Sequence, residues 1–146
     1  VGNALVYNPI YLSFAFTEKD YLEELKRLKI KVVINWLGEN GDACVHSFHN
    51  GKGKEYNIVC VNHKKTLKWP IQDVYALLVH EMVHAFQNYK EYVGEDKPSD
   101  EFEAYSIQNL CTNAFYAYKK YTEDSLTAAV KADKKKSKES KPVKVK

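Results

Sequence analysis

The spacing of apolar residues changes from alternation to helical periodicity and back, then settles into long helical stretches. Residues 4–16 alternate bulky apolar groups around Asn8 and Pro9, which predicts a short strand or extended lead-in. Thr17 and Asp20 form a capping-box-like start, and Tyr21, Leu22, Leu25 and Leu28 recur at helical spacing, predicting an amphipathic helix over residues 17–30. Val32–Leu37 is a β-branched and aromatic run ended by the turn Gly38-Glu39-Asn40-Gly41. Residues 43–49 and 55–63 flank Asn50-Gly51-Lys52-Gly53 and read as the arms of a β-hairpin, giving a small sheet of three or four strands. Pro70 suits the first turn of a helix whose apolar positions are Val74, Leu77, Leu78, Val83 and Phe86, with Gly94 as its stop. A second helix is predicted from Ser99 or Asp100 to about Tyr121, with Phe102, Tyr105, Ile107, Leu110 and Phe115 available for packing.

Composition narrows this to one α+β domain: 146 residues at 45% apolar and 28% charged support a single core. No stretch reaches the roughly 18 consecutive apolar residues of a membrane span. The N-terminal stretch lacks the basic flank and small-residue cleavage site of a signal peptide, so the expectation is a cytoplasmic chain. Cys44, Cys60 and Cys111 are odd in number and lack CxxC spacing, which predicts reduced core residues rather than disulfides or a reactive thiol.

Charge divides the chain. Residues 131–146 hold eight Lys against Asp133 and Glu139, whereas residues 1–130 hold 14 basic against 17 acidic side chains. The expectation is a folded body over 1–122 and a Lys-rich, disordered tail over 123–146, either solubilising or a salt-sensitive contact for nucleic acid or another polyanion. The tail has no interleaved aromatic residues for base stacking.

Chemistry concentrates at His80-Glu81-Met82-Val83-His84, an HExxH pattern in the middle of the predicted 70–93 helix. Residues four apart share a helix face, so His80 and His84 can reach one Zn²⁺, while Glu81, offset around the helix, is placed to take a proton from a metal-bound water. No histidine follows position 84, so a third ligand is a carboxylate or lies upstream. Glu101 and Glu103 are the candidates at the start of the next helix. If Asp100 is the N-cap, Glu103 takes the capping-box position, which favours Glu101 as ligand and leaves Glu103 as fallback.

These residues resemble a family. HExxH followed by a glutamate on the next helix is similar to the gluzincin branch of zinc metallopeptidases, and Glu101-Phe-Glu-Ala104-Tyr resembles the third-ligand segment of small ImmA/IrrE-like and phage-encoded peptidases. His80-Glu-Met-Val-His-Ala85 also resembles SprT-like proteases, whose third ligand is a histidine that this chain lacks. The resemblance covers about residues 74–110 and implies a minimal zincin: a small, mostly antiparallel sheet whose edge strand, within 43–49 or 55–63, lies over the HExxH helix and binds extended peptide.

The function so implied is a zinc endopeptidase acting on a protein or peptide, with His80, His84 and Glu101 as ligands and Glu81 as general base. Tyr105, Tyr92, Tyr89 and His63 are candidate oxyanion donors by type, Tyr105 favoured by its place beside Glu101. The alternatives are a zinc amidase acting on a non-protein or cell-wall amide, and a non-catalytic binding module on a zincin scaffold. His46 and His49 lie three apart, so in a strand they point to opposite faces, and they converge on one ion only if a turn begins there. Trp36 and Trp69 read as packing residues, and Gly51-Lys52-Gly53 is too short for a phosphate loop.

Overall fold

A computed structural model describes residues 10–32, 34–38, 41–49 and 54–139. In chain order these form β1 (Ile10–Ala15), α1 (Glu18–Arg27), β2 (Ala43–His49), β3 (Glu55–Val61), α2 (His63–Thr66), α3 (Ile71–Val93) and α4 (Asp100–Glu139). The class is α+β, as the alternation of periods predicts. Among the described residues, no helix is long and apolar enough to cross a membrane.

The sheet has the order β1-β3-β2, so β3 is central and β2 is an edge. β2 and β3 pair antiparallel, from Ala43 opposite Val61 to His49 opposite Glu55. The hairpin is therefore present, although its Asn50–Gly53 connection lies outside the described residues. β1 pairs with β3 in parallel, Ile10 with Glu55 through Ala15 with Cys60, so the sheet is mixed rather than mostly antiparallel. Apolar alternation sets which residues face the core but not strand direction, and α1 and β2 intervene as the crossover that a parallel pair requires. Residues 4–9 of the predicted N-terminal strand are outside the described residues.

Ile58, Val59, Cys60 and Val61 of β3 are all fully buried because both sheet faces are covered. On one face, Val59 and Val61 join Val74, Leu78, Met82 and Ala85 of α3 and Cys111, Ala114 and Tyr118 of α4. On the other, Ile58 and Cys60 meet Tyr21 and Leu25 of α1, with Ile30, Trp36 and Leu37 packed alongside. Fully burying one such side chain contributes about 1.5–3 kcal/mol.

Helix ends follow the sequence signals, with one substitution of residue type. The Thr17 side chain accepts from the Asp20 N–H at 3.1 Å, starting α1. That helix ends in a Schellman turn: Ile30 N donates to the Leu25 carbonyl and Lys29 N to the Lys26 carbonyl, with Lys29 at φ 59°. Gly94, at φ 70°, gives α3 the same ending. Val32–Leu37 forms no strand among its described residues; its Trp36 and Leu37 cover the α1 side of the sheet instead. Gly41 N donates to the Gly38 carbonyl at 3.0 Å, closing the expected turn.

α4 extends to Glu139, well past Tyr121 and into the segment that composition marks as disordered. Ala, Lys and Glu are strong helix formers, and Lys119–Glu123 and Lys120–Asp124 pairs span one turn each, so the helix propagates without a core to pack on. Residues 126–136 are exposed throughout. Residues 140–146 of the tail lie outside the described residues.

Candidate functional site

α3 carries His80, Glu81 and His84 to one wall of a cleft of 430 Å³. β2 supplies the opposite wall through Ala43, Cys44 and Val45, and Gly38 and Asn88 complete the lining. The two imidazole Nε2 atoms are 3.1 Å apart, with the rings nearly perpendicular at 83°. Gln87 Oε1 lies 3.1 Å from His84 Nδ1, the contact that orients this ring. Both histidines are exposed, whereas Glu81, one residue on, is only 4% exposed. Burial pushes the Glu81 carboxyl up to about 7, His84 pulling it down and Cys44 adding to the rise.

The next helix does not complete this group. Ser99, not Asp100, begins α4: its hydroxyl accepts from Phe102 N at 3.4 Å and its carbonyl from Glu103 N at 3.0 Å. Glu103 therefore has no capping-box role, and the premise that favoured Glu101 is absent. Glu101 is exposed, Glu103 half-buried, and Tyr105 is 67% exposed. α3 touches α4 through Tyr75 against Phe115 and Tyr89 against Phe102, with ring centroids 4.5 and 6.4 Å apart. At 3.6 residues per turn these two tyrosines lie on one stripe of α3, and His80 and His84 lie about half a turn around from it. Among the described residues, no third His, Cys, Asp or Glu offers a ligand atom within 4.8 Å of both imidazoles.

The other candidates have structural partners. Tyr89 and Tyr92 are half-buried on α3, Tyr92 at 6.2 Å ring separation from His49. His63 sits in an aromatic pocket of Phe16, Tyr118 and Tyr121, away from the cleft. His46 and His49 face opposite sides of β2, His46 toward Tyr21 and His49 toward Tyr92, as strand geometry requires.

A second group was hidden in the sequence. Cys44, His46 and Cys60 bring their ligand atoms within 4.8 Å of one another, a set that could hold a metal ion. Alternation puts Cys44 and His46 on the same side of β2, and the hairpin register places Cys60 directly opposite Cys44. The Cys60 thiol, hydrogen-bonded to Cys44, holds the Cys44 thiol well below its usual range, with His46 assisting; Cys60 itself is pushed up by the same contact and by burial. All three cysteines are free, Cys60 and Cys111 buried and Cys44 half-buried, as expected of reduced core residues. The signal that could have revealed the cluster is the symmetry of the hairpin, in which positions 44 and 60 are equidistant from Lys52. No protein-family model, curated protein or solved structure matches the chain.

Proposed function

We propose that the cleft between α3 and β2 is the centre of a zinc-dependent hydrolase that cleaves peptide bonds, with His80 and His84 as metal ligands and Glu81 as general base. The observation that carries this reading is the buried Glu81 carboxyl beside paired imidazoles, across a cleft from an edge strand. Two nitrogens bound to one tetrahedral zinc at their usual bond lengths stand about 3.3 Å apart, and the His80 and His84 Nε2 atoms are 3.1 Å apart. The pair fits as a chelate.

Zinc at such a site supplies Lewis-acid activation of water and of the scissile carbonyl. Glu81 takes up the proton released by the attacking water and passes it to the leaving amine. Burying a carboxyl without a task costs free energy, and the cleft wall is where such a group meets substrate. Among the described residues β2 is an edge strand of the sheet, and an edge strand can receive an extended peptide as an additional strand.

The test is metal analysis of the purified chain together with cleavage of a peptide library. Zinc content equal in wild type and Glu81→Gln and lower by one equivalent in His80→Ala and His84→Ala, with hydrolysis lowered about 10²–10⁴-fold in Glu81→Gln, is the expected result. Hydrolysis by Glu81→Gln equal to wild type removes the proposal.

A further inference from the structure

We propose that Cys44, His46 and Cys60 form a second, structural site for a thiophilic divalent ion such as Zn²⁺, separate from the His80–His84 pair and locking the β2–β3 hairpin to the segment that precedes it. Two thiol sulfurs and one imidazole are a donor set characteristic of zinc. A tetrahedral ion bound to sulfur at about 2.3 Å and nitrogen at about 2.0–2.1 Å sets the two donors about 3.5 Å apart and two sulfurs about 3.8 Å apart. Cys44 Sγ and His46 Nε2 are 3.2 Å apart, and all three donors fall within 4.8 Å of one another. The cluster is thus close to the span of a coordination sphere before any ion enters.

Its surroundings favour a closed site over a catalytic one. The Trp36 carbonyl oxygen lies 3.1 Å from His46 Nε2 and 3.4 Å from Cys44 Sγ, so the backbone of the α1–β2 connection already approaches the open side. Cys60 is fully buried on the central strand. An ion here joins both strands of the hairpin and ties down Trp36, whose described neighbours belong to no strand. Because β2 forms one wall of the α3 cleft, such a clamp also fixes that wall in place.

Cobalt separates this site from the histidine pair, because only thiolate ligands give a near-ultraviolet sulfur-to-cobalt charge-transfer band. In reduced protein titrated with Co²⁺, the band is expected in wild type and in the His80→Ala/His84→Ala double variant, and absent in Cys44→Ser. Zinc is expected to raise the melting temperature of the His80→Ala/His84→Ala double variant, and to lose that effect when Cys44→Ser is added to it. A second measurement needs no substitution: zinc slows alkylation of Cys44 while leaving Cys111, which lies in the α3–α4 core, unchanged. Absence of the band in reduced wild type, or a band undiminished in Cys44→Ser, overturns the proposal. So does alkylation of Cys44 at the same rate with and without zinc. Loss of the band in the double variant would mean that Cys44 and the α3 histidines share one ion across the cleft, and would equally overturn it.

Discussion

Asn88 Nδ2 donates a 3.0 Å hydrogen bond to Asn57 Oδ1, joining the helix that carries His80 and His84 to the central strand. Asn57 is fully buried and, among the described residues, its Nδ2 has no partner, while the bond from Asn88 satisfies its Oδ1. Asn88 follows His84 by one turn and lines the same cleft. Asn88→Ala is expected to cost about 1–3 kcal/mol, the penalty of leaving a buried acceptor unpaired. Replacing both residues by Leu removes donor and acceptor together and is expected to recover most of that loss. Urea denaturation of the two variants checks this; an Asn88→Ala protein as stable as wild type would show that the bond does not hold α3 in place.

The α4 carboxylates make a second case. His80 and His84 lie about half a turn of α3 away from the stripe that meets α4, and Glu101 and Tyr105 are exposed. Glu101→Ala and Glu103→Ala are each expected to keep zinc affinity within about threefold, well under the tenfold that 1.4 kcal/mol represents. Tyr105→Phe is expected to leave turnover unchanged. Calorimetric titration decides it: loss of zinc binding in either glutamate variant means that α4 turns its start toward the imidazoles when metal binds.

Local signals were legible wherever a side chain acts on its own neighbours. Thr17 caps α1, Gly94 ends α3, and the arms around Asn50–Gly53 pair as a hairpin. HExxH placed His80 and His84 together because one helix fixes their spacing. Relations between elements were not legible. Nothing in the alternation of β1 tells that it runs parallel to β3, and Ser99 rather than Asp100 became the cap of α4 because either residue type serves. The run Val32–Leu37 has strand propensity, but Trp36 and Leu37 are more useful covering the sheet face against α1 than extending the ladder.

Lys29 offers a stability test unconnected with the site. It occupies the left-handed position of the Schellman turn at φ 59°, where a residue bearing Cβ is strained, and its side chain is exposed. Left-handed backbone costs such a residue roughly 1–2 kcal/mol, partly offset by the greater freedom that glycine loses on folding. Lys29→Gly is therefore expected to stabilise the chain by about 0.5–1 kcal/mol, read as a higher urea midpoint at unchanged slope. A lower midpoint would mean that the turn is not strained at this residue.

His63 governs a pH dependence whose sign follows from its pocket. Thr122 Oγ1 already donates to the Tyr118 carbonyl at 2.9 Å, so in its 2.9 Å contact with that hydroxyl the His63 Nε2 is the donor. Phe16, Tyr118 and Tyr121 surround it, and burial lowers its pKa from the ordinary value near 6.5. Unfolded chains take up this proton at a higher pH than folded ones, so between the two values the unfolded state binds more protons and stability rises with pH. The contribution is complete above about pH 6.5 and is lost on acidification toward the folded value. His46 acts in the opposite sense, its pKa raised chiefly by the hydrogen bond with Cys44, so the net slope alone does not isolate His63. His63→Gln keeps a donor for Thr122 but cannot titrate. Relative to wild type, its stability is expected to fall less between pH 7 and about pH 5, even if it is lower at pH 7. Parallel stability curves for the two proteins across that range would place the acid-sensitive group elsewhere.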